Sequence, residues 1–140
     1  MMGGGPNKDK KFVNKIYKQI IENKKILNVV NDKLGTPTYT VDFAKNTKLL
    51  LEKKLWGKYN LVCEGESSRY DVAKEILKIL KKTKDIELKE VDSSFFSKEY
   101  FSKRPRSERL INRKLNLRNL NIMRDWKICL KEYLENKFID

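Results

Sequence analysis

Histidine is missing from this 140-residue chain, and cysteine occurs only twice, as Cys63 and Cys129. Without histidine the sequence excludes Ser-His-Asp triads and most zinc hydrolase sites, and it lacks the side chain that most often acts as a general base. The two cysteines are far apart in the sequence and belong to no motif, so neither a disulfide framework nor a zinc site is indicated. We expect no metal site and a reducing environment.

Long apolar runs are also missing. No stretch approaches the roughly 18 apolar residues that a membrane-spanning helix needs, and the N-terminal MMGGGPNKDKK has no apolar core of a signal peptide. We therefore expect a cytoplasmic protein with no membrane partner. The glycines at 3–5 follow no predicted strand and lack the Gly-x-Gly-x-x-Gly spacing that brings a dinucleotide pyrophosphate close to a helix. Residues 1–9 are predicted to form a poorly ordered loop.

Positive charge is what the sequence has in excess. Lys and Arg number 32 against 19 Asp and Glu, and the formal net charge is +13. Such a surface attracts phosphates, nucleic acids and anionic lipids. The lysines, however, alternate with apolar residues at helical spacing, as in 45–54 and 74–82, which is typical of solvated helix faces. Nucleic-acid binding is therefore the weaker hypothesis, and it would use the basic and aromatic stretch 95–109.

Helical and extended patterns alternate in the first half of the chain. An apolar stripe runs to Ile21 behind Asp9, which is predicted to be the N-cap of this helix. Residues 26–30 (ILNVV) predict a short buried strand. Thr40 is predicted to cap a second helix, whose apolar side is formed by Phe43, Ala44, Leu50, Leu51 and Leu55.

The second half follows the same alternation. Residues 58–62 and 86–91 predict two further strands, and Ser68 with Asp71 matches a capping box ahead of a third helix. Trp126 is predicted to dock a final helix. The length suits one domain, and the pattern predicts an α/β or α+β domain with about four helices and a few short strands.

Two Tyr-x-x-x-Lys pairs occur, Tyr70 with Lys74 and Tyr133 with Lys137. This spacing places a phenol and an ammonium group one helical turn apart, where a lysine can assist proton transfer by a tyrosine. Roughly one such pair is expected by chance in a chain this rich in lysine. Because Tyr70 opens a capped helix and Tyr133 lies on an apolar stripe, both are predicted to be structural, and no catalytic residue is assigned.

Several separated segments, taken in order, resemble the dTDP-4-dehydrorhamnose reductases of the extended short-chain dehydrogenase superfamily. They cover nearly the whole chain, and their order is more specific than any one of them. KRPRSERLINRKL (103–115) resembles the Arg-Pro-x-x-Ser-x-Leu element of that family. The other matching segments are KKFVNKI (10–16), VVNDKLGTPTYTVDFAKNTKLLLE (29–52), GKYNLVCEGESSRYDVAKEI (57–76) and WKICL (126–130).

The resemblance implies a small C-terminal substrate-binding domain over 1–140, without a complete Rossmann sheet. In the family this region holds a dTDP-linked deoxyhexose against a Rossmann domain, which binds NAD(P)H and carries the catalytic Ser or Thr, Tyr and Lys. That N-terminal domain has no counterpart in this sequence. We therefore expect the chain to bind no cofactor alone and to need a Rossmann domain, in cis or in trans, for hydride transfer.

The resemblance also implies substrate-binding residues. Arg104 and Ser107 are the main candidates, with Arg106 and Arg109 as supporting charge, because a guanidinium group presents a fork of donors that suits a diphosphate. Arg104 could instead be a solvated loop charge. Lys103 and Arg106 make this element more basic than the family pattern, which leaves the nucleotide preference open.

A second group of candidates lies at the start of the first predicted helix. Lys10 and Lys11 would add charge to a helix N-terminus, which favours phosphate. Phe12 could contact the base or the sugar, although core packing is an equal alternative. Thr38 matches the Pro-Thr position of the family, and its expected role is mainly to hold the loop ahead of the next helix.

The leading hypothesis is the sugar-nucleotide-binding part of an NAD(P)H-dependent dTDP-4-dehydrorhamnose reductase, which would be inactive alone because hydride transfer needs both halves. The alternatives are a non-catalytic regulatory or scaffold subunit with the same fold, a basic nucleic-acid-binding domain, and a fragment without activity.

Overall fold

The structure is a computed structural model that describes residues 1–9, 11–98 and 105–138. Two small sheets are present in these ranges. In one, β1 and β4 pair in parallel, from Ile26 opposite Glu87 to Val30 opposite Val91, and in the other β2 and β3 pair antiparallel. The elements are α1 (Gly5–Lys8), α2 (Phe12–Ile21), β1 (Ile26–Val30), β2 (Leu34–Gly35), α3 (Thr40–Glu52), β3 (Ser67–Ser68), α4 (Arg69–Ile79), β4 (Glu87–Val91), a 3-10 turn (Ser93–Phe96), α5 (Arg113–Leu117) and α6 (Trp126–Lys137). This confirms the predicted α/β class with a few short strands.

The core is built around α6. Its inward face repeats at spacings of three and four residues and is formed by Trp126, Cys129, Leu130, Tyr133 and Leu134, all buried as predicted. The buried stripe of α4 packs on it, and burial of each leucine-sized side chain contributes roughly 1.5–3 kcal/mol. The predicted capping box at the start of α4 is present, with Ser68 Oγ accepting from the Asp71 amide at 3.1 Å.

The start of α2 lies two residues later than the predicted cap. Lys11, not Asp9, is the N-cap, and no side chain caps this helix. Asp9 is buried just ahead of it, where Oδ1 accepts from the Lys11 amide at 2.7 Å and Oδ2 accepts from the Tyr133 hydroxyl at 2.9 Å. The Asp9 carboxylate thus ties the entry of α2 to the core instead of capping the helix.

The apolar face predicted for α3 is wrong except at Leu50. Phe43 and Leu51 are exposed, and the buried residues of this helix are Asp42, Asn46 and Leu50. The polar pair faces inward because it satisfies the backbone of the segment ahead of α6: Asn46 donates to the Leu120 carbonyl, and Asp42 accepts from the Arg124 amide. Thr40 is also not the cap, because the N-cap is Tyr39 and no side chain bonds to the first turn.

Residues 58–62 do not form the predicted strand. The backbone of Val62 pairs with one side chain instead: Asn112 Oδ1 accepts from the Val62 amide at 3.0 Å, and Asn112 Nδ2 donates to the Val62 carbonyl at 2.7 Å. A buried amide side chain therefore replaces the neighbouring strand. The short helix α5 begins directly after Asn112 and was not predicted.

The N-terminal segment, predicted as a loop, contains α1 and a buried methionine. Met2 donates its amide to the Thr38 carbonyl at 2.7 Å and accepts from the Thr40 amide at 2.9 Å. Its side chain is 1% exposed and belongs to the core. Across the described ranges, no helix combines the length and apolar character needed to cross a membrane.

Candidate functional site

A cavity of about 750 Å³ lies beside the first turns of α2 and α4, next to β2 and the 3-10 turn. Its wall combines cationic, aromatic and hydroxyl side chains with the Thr36–Pro37 segment. The residues that matter for its chemistry are Lys11, Phe12, Lys33, Thr36, Ser67, Ser68, Arg69, Ser93, Ser94 and Phe96.

Phe12 and Arg69 face each other at the cavity wall. The guanidinium carbon of Arg69 lies 5.9 Å from the centre of the Phe12 ring, within the range of a cation–π contact. Phe12 also packs against the core cluster, so its ring serves both the core and the cavity. Arg69 itself is exposed, which leaves its planar fork of donors accessible to a ligand.

The two helix ends at the cavity differ in their charge. α2 has neither a side-chain cap nor an acidic residue in its first turn, and the carboxylate nearest its start is that of Asp9, which accepts from the Lys11 amide. α4 carries the Ser68–Asp71 capping box, whose carboxylate offsets that end. The side-chain cations at these two helix starts are Lys11 at α2 and Arg69 at α4.

Ser93, at the cavity, is held in place by two hydrogen bonds to Asp32. Ser93 donates its hydroxyl to Asp32 Oδ2 at 2.7 Å and its amide to Asp32 Oδ1 at 3.0 Å. Asp32 Oδ2 also lies 3.9 Å from the Lys33 ammonium group. Asp32 thus fixes the 3-10 turn against the end of β1, and with it the Ser93–Phe96 side of the cavity.

Of the predicted site residues, Lys11 and Phe12 line this cavity, whereas Ser107 and Arg109 line a second, open depression of about 500 Å³. There Ser107 Oγ accepts from Arg109 Nε at 3.0 Å, and Arg109 forms an ion pair with Glu66. The charge of Arg109 is therefore already paired. Arg106 lines neither space, and its carbonyl accepts from the Leu34 amide at 2.8 Å.

Thr38 is buried and lies behind the cavity wall, which is formed by its neighbours Thr36 and Pro37. Its carbonyl accepts from the Met2 amide at 2.7 Å. Arg104 and Lys10 lie outside the described residues.

Sequence reasoning missed Arg69, Lys33, Ser93 and Phe96. Arg69 directly follows the predicted cap Ser68. A cation in the first turn of a capped helix could therefore have marked Arg69 as a candidate site residue. Phe96 belongs to the aromatic stretch that was noted only for nucleic-acid binding. No local pattern marks Lys33 or Ser93.

Neither Tyr-x-x-x-Lys pair has the setting of a proton donor. Tyr133 is fully buried, and burial together with the hydrogen bond to Asp9 raises the pKa of its phenol, the opposite of what such a pair would need. Tyr70 packs partly against the core. The described ranges also hold no group of three side chains that could bind a metal ion.

The described residues do not fit a nicotinamide dinucleotide. A dinucleotide fold needs a parallel sheet whose first strand runs through a Gly-rich loop into a helix. Here the parallel sheet has two strands, and β1 runs into Asn31 and Asp32, without such a loop.

Comparison with known proteins identifies the family. The model of the RmlD substrate binding domain matches residues 5–138. A dTDP-4-dehydrorhamnose reductase from Clostridium acetobutylicum is 32% identical, with a TM-score of 0.84 over 92% of this chain and 44% of its own. The enzyme of the same name from Yersinia enterocolitica is 30% identical, with a TM-score of 0.86 over 96% and 46%.

A third dTDP-4-dehydrorhamnose reductase, from Bacillus anthracis and solved in complex with NADP, is 22% identical with a TM-score of 0.83 and shares the fold. No curated protein matches the chain. The chain spans less than half the length of the reductases from Clostridium and Yersinia. With the family model covering nearly all of the chain, the protein belongs to the family of RmlD substrate-binding domains.

Proposed function

We propose that the cavity beside α2 and α4 binds the nucleotide part of a dTDP-linked deoxyhexose, as the substrate-binding part of a dTDP-4-dehydrorhamnose reductase. The observation that carries this proposal is the meeting of Lys11, Phe12 and Arg69 at the uncapped start of α2. The volume of the cavity, about 750 Å³, falls within the range of roughly 300–1,000 Å³ that is usual for small-molecule sites.

The chemistry of the wall suits the parts of such a ligand. A diphosphate needs cationic donors, and Lys11 and Arg69 supply them at the start of α2 and of α4. Phe12 and Phe96 offer aromatic surface for a base or a deoxysugar, while Ser93 and Ser94 offer hydroxyl groups. Arg104, Ser107 and Lys10 are proposed as further substrate-binding residues, with Arg106 and Arg109 as supporting charge.

Hydride transfer is proposed to need a second protein part. The chain covers 44–46% of the length of the reductases from Clostridium and Yersinia, and its described residues do not fit a dinucleotide. We infer that a Rossmann domain, in cis or in trans, supplies NAD(P)H and closes the open side of the cavity. The 140-residue chain alone should therefore bind a nucleotide without reducing a sugar.

Binding is tested by titrating the chain with dTDP, using calorimetry or ligand-detected NMR. Lys11→Ala and Arg69→Ala should each weaken binding about tenfold, because a charge-assisted hydrogen bond contributes roughly 1.5 kcal/mol or more. Lys15→Ala on the same helix and Arg113→Ala on α5 are the matched controls, since both are exposed and lie off the cavity wall. Each control should stay within about twofold of the unsubstituted chain.

Equal losses of dTDP affinity in Lys11→Ala and Lys15→Ala would mean that binding depends only on the overall charge of the chain, and the proposed site would be rejected. Absence of any dTDP binding would favour the scaffold alternative instead. Turnover is checked separately, by following NADPH absorbance with dTDP-4-dehydrorhamnose present. Oxidation of NADPH by the chain alone would contradict the need for a Rossmann partner.

A further inference from the structure

The two cysteines, far apart in the sequence, meet in the core. Cys63 Sγ and Cys129 Sγ lie 3.7 Å apart, and both thiols are free. They form part of one hydrogen-bonded chain: the Tyr39 amide donates to Cys63, Cys63 to Cys129, and Cys129 to Asp42 Oδ2 at 3.2 Å. No part of the proposed nucleotide site uses either sulfur atom.

The two thiols differ in their access to solvent. Cys63 contributes to the wall of the second, open depression, together with residues 64–66 and 107–111. Cys129 is fully buried beneath it and touches neither cavity. A small oxidant that enters the depression therefore meets Cys63 first, with Cys129 directly behind it.

We propose that Cys63 and Cys129 form a redox-modification site, in which Cys63 is the thiol that is oxidised and Cys129 is the resolving thiol. A peroxide converts the Cys63 thiol to a sulfenic acid and is reduced to water. The Cys129 sulfur then attacks the Cys63 sulfur, and the sulfenic hydroxyl leaves with the Cys129 proton as a second water. Two electrons pass from the thiol pair to the peroxide.

The geometry requires only a small movement. A disulfide bond has a length of about 2.05 Å, so the sulfur atoms must approach by roughly 1.7 Å. The reaction should be slow in the closed state, because burial raises the pKa of both thiols and keeps them protonated. Such a thiol pair is oxidised during prolonged exposure to oxidant, and a thiol reductant returns the disulfide to two thiols.

The product would tie residues 63–65 to α6 beside the nucleotide cavity. Thr36 lines both spaces and donates its hydroxyl to the Gly65 carbonyl at 2.9 Å, while Tyr39 bonds to Cys63 itself. Oxidation should therefore slow amide hydrogen exchange of Tyr39 and Thr40 at least severalfold, since opening of this segment becomes restricted.

The test treats the folded chain with hydrogen peroxide, then denatures it, alkylates it and maps its peptides. We expect a loss of about 2 Da per chain and a peptide pair joined through Cys63 and Cys129, reversed by dithiothreitol. In Cys129→Ala, dimedone should label Cys63, whereas in Cys63→Ala the Cys129 thiol should stay unlabelled.

Two alkylatable thiols after treatment, or disulfide-linked dimers, would overturn the proposal. So would dimedone labelling of Cys129 in preference to Cys63. If a variant fails to fold, the peptide map of the unsubstituted chain still decides the matter. Unchanged exchange at Tyr39 in a cross-linked chain would reject the link to the cavity wall.

Discussion

Asp42 offers the sharpest test of how this fold is held together. Its carboxylate is 2% exposed, and it accepts from Arg124 Nε at 2.9 Å and Arg124 Nη2 at 2.7 Å, as well as from the Arg124 amide and the Cys129 thiol. Asp42→Ala removes this acceptor and leaves Glu132 as the ion-pair partner of the guanidinium group among the described residues. We expect this single substitution to cause a large loss of stability, although an aspartate is usually an exposed residue.

The size of that loss follows from the burial of the two partners. Breaking a fully buried ion pair costs about 3–5 kcal/mol. The Arg124 side chain is 35% exposed, so water recovers part of the lost solvation. We therefore expect Asp42→Ala to lower the free energy of unfolding by about 2–3 kcal/mol. With a usual urea dependence this moves the unfolding midpoint down by roughly 1–2 M.

The assay is urea unfolding followed by circular dichroism, with Glu132→Gln as the matched control. Glu132 contacts the same guanidinium group at 2.5 Å, but its side chain is 33% exposed. Its removal should cost under about 1 kcal/mol, as for other solvated pairs. Equal shifts in the two variants, or a shift below about 0.5 M in Asp42→Ala, would refute a dominant role for the buried carboxylate.

The same pair predicts a pH dependence. Burial alone would raise the pKa of Asp42, but hydrogen bonds from Arg124 and Cys129 and the charge of Arg124 outweigh it and hold the pKa below its ordinary value. The stabilisation is therefore complete above the unfolded pKa of about 4 and is lost as the pH falls through the lower folded value. The stability difference between the unsubstituted chain and Asp42→Asn should shrink on acidification below about pH 4, and a constant difference would contradict this assignment.

Two further substitutions test local geometry, each with a matched control in the same unfolding assay. Gly65 has φ +84°, and a Cβ there would lie 3.0 Å from Asp125 Oδ2 and Trp126 Cδ1, so Gly65→Ala should cost roughly 1–3 kcal/mol. Gly35→Ala, with nothing within 4 Å of its Cβ, should be close to neutral, and similar costs for the two would contradict the argument. Ser68→Ala removes the capping box of α4 and should cost about 1 kcal/mol, whereas Thr40→Ala, which removes no cap bond, should cost less than half of that. An equal loss of unfolding free energy in both variants would show that the Ser68 capping bond does not itself stabilise α4.

The local sequence pattern was sufficient to predict structure where the interacting residues belong to the same helix or strand. The stripe of α6 and the Ser68–Asp71 box depend on spacings of three and four residues, and both were predicted correctly. The strand at 26–30 was also correct, because a short apolar run is a local signal.

The sequence pattern failed to predict local structure where a residue's partner lies far away along the chain. Asp42 turns inward only because Arg124, 82 residues away, receives it. Residues 58–62 have the composition of a strand, yet their partner is the single side chain of Asn112. The candidate site shows the same division: the start of α2 was found from its own sequence, whereas Arg69 reaches Phe12 only through the packing of α4 on α2.

The pairing of β1 with β4 has a consequence for solubility. In a sheet of two strands, each strand has one backbone edge that the other does not cover, and such edges recruit strands from neighbouring molecules. Here Glu87, Lys89 and Glu90 stand exposed along β4, and Lys24 and Lys25 precede β1. These charges oppose edge-to-edge association, so replacing Lys89 and Glu90 with valine should lead to aggregation before any loss of fold.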